Sequence, residues 1–335
     1  MNQSLLPRPR FWALAADQKR THPTLFGEML RFLIVYLAAT VCESILLSFP
    51  LTIWILRGHA IDLTRGFSGL DSMEKQLIEL LGHMPPWMEI AKLFATAAFG
   101  IAAVFYCRVF EKRKLPSMGV TARGAAPELL AGLAIGAVLF AAVPMIGSAA
   151  HGYRVTGFVG VDVKDAILLV LALIGCAVSA ASMELLLRGY LAPSLGAGMP
   201  VTFAVVFSTT LSLFLTEGLS GFLPFINMLL LSLLLCVCTI KRGNLWAAFG
   251  LRTGWLFAAK FFFGFDQTEQ TRLCLVPVTS VSTRDLVTGG KSGPVGSICA
   301  TIVLIVALGA VFALRAKDPA PRPEPPSDGG AGTAE

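Results

Sequence analysis

Long apolar runs separated by short polar stretches dominate the chain. Eight stand out, near residues 29–56, 89–110, 126–150, 165–190, 200–216, 222–240, 244–263 and 297–315. About 20 mostly apolar residues suffice to carry a helix across a bilayer. The runs are continuous and lack the alternation of barrel strands, so they predict helices, whose backbone polar groups are satisfied internally. The expected fold is therefore all-α, a polytopic transmembrane helical bundle of about eight spans. The fifth run is short and rich in Ser and Thr, which fits a helix enclosed by others.

The same pattern divides the chain. Residues 1–28 read as a cytoplasmic N-terminal segment and 29–124 as two spans joined by an outer loop. Residues 125–263 form a transmembrane core, 264–296 an irregular outer loop and 297–315 a last span. The tail 316–335 is rich in Pro, Gly and acidic residues and holds too little apolar surface to bury a core. Within the first outer loop, Met73, Leu77, Ile78 and Leu81 fall at helical spacing and predict a short interfacial helix.

Composition agrees. Only 14% of the side chains are charged and 55% are hydrophobic, against about 25% charged in ordinary soluble domains. A soluble fold is excluded. The formal net charge of +6 does not point to nucleic acid, because the dense Lys and Arg clusters fall in alternate loops. They are Arg8, Arg10, Lys19 and Arg20, then Arg108, Lys112, Arg113, Lys114 and Arg123, then Lys241 with Arg242, and Arg315 with Lys317. By the positive-inside rule these loops are cytoplasmic, which predicts both termini inside a bacterial-type inner membrane. Six of the seven cysteines lie in or beside apolar runs without metal-like spacing and read as small hydrophobes.

Charges inside spans are costly and mark function or internal pairing. Glu43, Glu184, Arg188, Arg252 and Lys260 are the candidates. Glu184 and Arg188 are four apart, on one helix face, in the favourable order for an ion pair. On these grounds alone they are either a self-satisfied pair or part of a site.

Three stretches carry a resemblance. MELLLRGYL, starting at Met183, is similar to the first signature of the CPBP family, the CAAX-prenyl-protease and bacteriocin-processing group of intramembrane proteases. VVFSTTLSLFLT (205–216) and KRGNLWAAFGLRTGWLFA (241–258) resemble its second and third signatures, in order and spacing. The resemblance covers about 125–260 and implies an intramembrane endopeptidase architecture. The resemblance implies that the first Glu of the pair and two His, assisted by a polar residue after the second, activate water for attack on a peptide bond. Here the matched positions hold Met183 for the first Glu, with Glu184 and Arg188 retained. Ser212 stands for the Phe and Thr216 for the His of the second signature, while Arg252 and Leu256 replace the His and the polar residue of the third. Met cannot take a proton and Leu cannot hydrogen-bond.

His22, His59, His83 and His151 fall in the terminal segment or outer loops and are not expected to substitute. A catalytic metal normally has three protein ligands, and the matched positions offer only Glu184. No cofactor and no metal are therefore expected. Arg252 needs a partner in Glu184, Glu217 or the Ser208–Thr210 hydroxyls, which predicts an ion-pair network in the former catalytic cavity. Three readings stay open. One is an inactive scaffold, chaperone or regulator that binds a membrane peptide or protein partner. Another is an active protease using Glu184, and the third a small-molecule transporter. The lipid bilayer is a partner in all three and nucleic acid in none.

Overall fold

The computed structural model describes residues 6–18, 24–56, 85–122, 124–216, 221–265, 273–281 and 284–317. The predicted interfacial helix around Met73–Leu81, Glu217 and the tail beyond Lys317 lie outside the described residues.

Most of the described residues are helical. Helix α1 is Arg10–Gln18 and α2 is Leu25–Leu56. Helix α3 (Pro86–Ala95) runs into α4 (Ala97–Val109) through Thr96. Helix α5 is Ala125–Ala149. Helix α6 (Val163–Glu184) continues through a π-helical stretch, Leu185–Leu191, into α7, Ala192–Gly196. Helices α8 (Val201–Thr216), α9 (Phe222–Arg242) and α10 (Trp246–Phe257) follow, and a second π-helical stretch, Ala258–Phe262, extends α10. Short helix α11 (Asp285–Thr288) and a 3-10 segment lead to α12, Ile298–Ala313.

Six of these stretches are long and apolar enough to cross a membrane: Leu25–Trp54, Pro86–Val109, Ala125–Ala149, Val163–Gly196, Phe222–Arg242 and Gly290–Ala313. This is an all-α polytopic bundle, as the apolar runs predict. The expected fifth and seventh spans are present as helices but are shorter. With 16 residues in α8 and 17 in α10 plus its extension, each is about 25 Å long, below the roughly 30 Å hydrocarbon core. Helix α10 is enclosed by protein along most of its length, with Ala247 to Leu251 and Thr253 to Trp255 buried. Its sequence is therefore matched to helical neighbours rather than to lipid.

The tightest packing in the molecule joins α5 to α10. Gly132 and Gly136, one turn apart on α5, lie against the carbonyls of Ala247 and Leu251. Gly250 and Gly254, one turn apart on α10, lie against those of Leu129 and Leu133. The contact is reciprocal: each helix presents a small-residue face that lets the other backbone in. A methyl group at any of the four positions would overlap a carbonyl oxygen.

Of three apolar cores among the described residues, the two larger ones organise the bundle. One gathers α1, α2, α4, the first π stretch and α8 around Phe32, Phe99, Met183 and Tyr190. The other gathers α5, α9, α10 and α12 around Phe140, Leu234, Trp255 and Leu304. The expected irregular loop 264–296 has structure in its described part. Strand β2 (Val278–Ser280) pairs antiparallel with β1 (Tyr153–Val155), Val278 opposite Val155. Val276 and Val278 are buried in the second core, and Val276 N–H donates to the Phe262 carbonyl at 2.8 Å. Two valines with a place to bury outweigh the Gly and Ser around them. Tyr153 donates its hydroxyl to the Thr288 carbonyl, and burial pushes that phenol above its ordinary value.

The basic termini and loops are also more built than charge alone suggests. Helix α1 buries Phe11, Trp12 and Ala15, with Trp12 lying against Gly196. Arg113, 1% exposed, is fully engaged: it bonds Glu111 at 2.9 Å, Ser194 at 3.1 Å, the Ser117 hydroxyl and carbonyl, and the Gly189 carbonyl at 3.3 Å. It ties the loop after α4 to the π-helical stretch.

The α5–α10 contact yields a direct expectation. Gly136→Leu should lower stability in detergent by roughly 1–3 kcal/mol or more through overpacking. Gly309→Ala, at a position with open space around it, should leave the melting temperature unchanged or slightly raised. Equal melting temperatures for the two variants would show that the close approach does not hold the helices together.

Candidate functional site

The first π-helical stretch begins immediately after Glu184. A π turn closes hydrogen bonds five residues back, as Ala192 N–H to the Leu187 carbonyl does here. Such turns are rare and concentrate at functional positions. The expected end of the fourth span near residue 190 is therefore not an end. The helix runs on to Gly196, so Glu184 and Arg188 lie inside it rather than at its end.

Glu184 is fully buried and Arg188 is 1% exposed. Oε1 of Glu184 accepts from Arg188 Nη1 at 3.0 Å and from Arg252 Nη1, on α10, at 3.3 Å. One carboxylate oxygen is thus shared by two guanidinium groups from two elements. The fork of Arg188 is completed on α9, where Nη2 donates to the Ser232 carbonyl at 2.9 Å and to the Ser232 hydroxyl. The Ser232 hydroxyl lies 2.7 Å from that of Ser212 on α8, and the Ser212 hydroxyl bonds back to the Thr209 carbonyl at 2.7 Å. Four helical segments meet in this network: α6 with its π extension, α8, α9 and α10. Taking two ions out of water costs several kcal/mol each, so such pairs persist only when geometry and extra hydrogen bonds offset the penalty.

In front of the network lies a cavity of about 500 Å³. Met183, Arg252, Leu256, Ser212 and Ser232 line it, and so do Glu43 from α2 and Lys260 from the second π stretch. Apolar side chains such as Leu213, Leu231, Leu235 and Trp255 make up much of the rest. Glu184 and Arg188 do not line it. Arg252, with its side chain 23% exposed, is the member of the ion cluster that faces the cavity.

The structure therefore brings together Glu184, Arg188, Arg252 and Ser212, with Met183 and Leu256 on the adjoining wall. Thr216 ends α8, and its side chain lies outside the described residues. The Ser208 hydroxyl bonds the Val205 carbonyl rather than Arg252. Of the histidines, His151 is the one within the described residues, in the turn after α5. No cluster of three His, Cys, Asp or Glu side chains occurs among the described residues. Ser232 was not singled out from the sequence. A lone hydroxyl in the run LLLSLLL is the signal that marks it, because a polar residue in such a run needs a partner. Asn227, one turn and a half earlier, follows the same logic: its amide donates to the Val295 and Ser297 carbonyls at 2.7 and 2.9 Å and accepts from Thr301 at 2.6 Å, which docks α12.

These features define the class, an integral membrane protein built as a helical bundle with a polar cluster at its centre. Residues 165–258 match the family model described as Type II CAAX prenyl endopeptidase Rce1-like. That segment runs from α6 to α10 and contains every charged and hydroxyl member of the network. The match shows the CPBP resemblance for this region, which is CAAX-protease-like within an integral membrane protein. No curated protein and no solved structure matches the chain.

The charge arrangement sets an order for substitutions. Glu184→Gln leaves two guanidinium groups without their shared carboxylate and should cost about 3–5 kcal/mol. Arg252→Met leaves the Glu184–Arg188 pair intact and should cost under about 1 kcal/mol, since apolar replacements at buried ion clusters are often neutral. Adding Arg252→Met to Glu184→Gln should recover part of the loss. Chemical or thermal denaturation in detergent reads all three, and strict additivity would contradict the shared-oxygen geometry.

Proposed function

We propose that the chain is a CAAX-protease-like membrane protein without standard proteolytic activity, acting as a scaffold or regulator that binds a membrane-embedded partner or ligand in its cavity. One observation carries this reading: the retained carboxylate Glu184 is held by two arginines behind the cavity wall, while Met183 and Leu256 face the cavity. A general base must reach the proton it removes, directly or through one water. Glu184 has no surface on the cavity, and Arg252 occupies the approach to it. Of the four matched side chains on the cavity, Met183 and Leu256 carry no proton-transfer group, Arg252 is a cation bonded to Glu184, and the Ser212 hydroxyl is bonded to the Thr209 carbonyl and lies 2.7 Å from the Ser232 hydroxyl.

The convergence of the basic segments supports one orientation in the membrane. Lys114 N–H donates to Gln18, Leu245 N–H to the Gly119 carbonyl, and Lys317 to Glu128 at 2.7 Å, beside Arg242 on the same oxygen at 3.0 Å. Helix α1, the loop after α4, the α9–α10 hairpin and the end of α12 thus share one end of the bundle. Density of Lys and Arg there supports a cytoplasmic face at the inner membrane, with both termini on it. Reporters fused before Arg8 and after Lys317 should both be shielded from externally added protease in intact cells. Exposure of either one reverses the orientation.

Proteolysis is tested on the full chain, purified and reconstituted, with a panel of membrane-peptide and prenylated-peptide substrates. The expected result is no cleavage that differs between wild type and Glu184→Ala. Cleavage that disappears with Glu184→Ala would replace this reading with that of an active protease.

A further inference from the structure

Charged side chains gather on and behind the cavity wall. The wall and the layer behind it hold three cations, Arg188, Arg252 and Lys260, and two carboxylates, Glu184 and Glu43. Among these described side chains the cations outnumber the carboxylates by one, and a cation inside the bundle is expensive unless it is well engaged. The two arginines differ in this. Arg188 has a 3.0 Å bond to Glu184 and two acceptors on Ser232, whereas Arg252 has a single 3.3 Å contact, to an oxygen that Arg188 already occupies. Arg252 is also the member of the pair that faces the cavity, so its remaining donors point where an exogenous acceptor can reach them.

The surroundings of Arg252 describe that acceptor. Ser212 and Ser232 place hydroxyls on the same wall, and Ser179 and Thr96 add two more. Beyond this polar patch much of the lining is apolar, with Leu93, Phe99, Leu213, Met228, Leu231 and Trp255, and Tyr36, Glu43 and Lys260 complete it. Arg252 and Lys260 are eight residues apart on one helix, so the cavity extends about 12 Å along α10 between them. A volume near 500 Å³ lies inside the usual range of small-ligand sites, roughly 300–1,000 Å³. A deep cation with hydroxyls, at the end of an apolar chamber, is complementary to one kind of molecule.

We propose that the cavity binds a single-chain anionic amphiphile, its carboxylate or phosphate headgroup on Arg252 and the neighbouring serine hydroxyls and its acyl chain along the apolar wall. This names the ligand class for the binding role proposed above and rests on it. A guanidinium offers two parallel donors to a carboxylate or phosphate, and the membrane itself supplies such molecules.

The test uses the full chain in uncharged maltoside detergent, with binding of four probes measured at equilibrium: oleate, oleoyl lysophosphatidate, oleoyl lysophosphatidylcholine and inorganic phosphate. Oleate or lysophosphatidate should bind saturably and raise the melting temperature, and the stronger of the two identifies the headgroup. The zwitterionic lysolipid and free phosphate should do neither. Arg252→Met should weaken the anionic probes roughly 10- to 100-fold, the range expected for losing a charge-assisted hydrogen bond. Leu256→Trp, which narrows the chamber and keeps every charge, should weaken them as well and guards against misfolding of the first variant. Equal binding of the zwitterionic lysolipid, binding of phosphate as tight as that of the amphiphiles, or indifference to Arg252→Met would each overturn the proposal. The proteolysis assay is independent: Glu184-dependent cleavage with intact amphiphile binding removes only the scaffold reading, and absent binding with no cleavage removes only this one.

Discussion

A buried carboxylate shared by two arginines is the interaction on which the centre of this molecule depends. Glu184 comes from the junction of α6 with its π extension, Arg188 from within that extension and Arg252 from α10. Arg188, 1% exposed, cannot be left without its carboxylate, while Arg252 holds to the same oxygen from the cavity side. The three side chains therefore fix the distance and rotation of two helices relative to each other. Ser232 and Ser212 extend the same constraint to α9 and α8 by hydrogen bonds that hold the Arg188 fork in one orientation. The polar cluster lies where the two apolar cores meet, and it sets the register between them where leucine and alanine side chains alone would allow sliding.

That register is enforced from the opposite side by glycine. The face of α10 that carries Gly250 and Gly254 is pressed against α5, backbone to backbone. Arg252, between those two glycines in sequence, points away from the contact and towards α6. Moving α10 outward by the width of one methyl group would lengthen a 3.3 Å ion pair beyond useful range. A second close approach, Gly100 of α4 against Ser182 of α6, brings the helix carrying Glu184 tight against its other neighbour. Small residues on α4, α5 and α10 thus position charged residues they never touch.

Much of the bundle was legible in the apolar runs because lipid imposes a simple rule on helix length and composition. Six of the eight expected spans correspond to long apolar helices within a few residues. The rule fails where a helix is surrounded by protein. Helices α8 and α10 are shorter, and α10 carries an arginine, a threonine and two glycines whose fitness depends on partners distant in sequence. The pairing of Glu184 with Arg188 was readable from a spacing of four. Its link to Arg252 was readable only as a need for some partner, since the sequence offered several and the choice was made by the α5–α10 contact. Ser232 and Arg113 show the same limit from opposite sides. One looked like a harmless hydroxyl in a leucine run and is a hinge of the network. The other looked like a loop charge that orients the chain and is a buried ligand of five acceptors. The β1–β2 pair was invisible because three residues opposite three, joined across more than 120 positions, leave no local signature.

The identity of the residue at 252 is the part of the site that stability does not explain. Glu184 and Arg188 already form a neutral pair, and Arg188 has further acceptors on Ser232. A leucine or methionine at 252 would complete an apolar wall with Met183 and Leu256 at no electrostatic cost. The arginine instead adds a positive charge to a cavity inside the membrane, next to an oxygen already engaged. Buried ion clusters are often no more stable than their apolar replacements, so a structural account would favour losing it. A cation that is costly to the empty bundle and faces a chamber lined with hydroxyls and acyl-sized apolar surface is accounted for once the chamber has an anionic occupant. On that reading the cavity has exchanged the groups that would cut a bond for one that holds a charge.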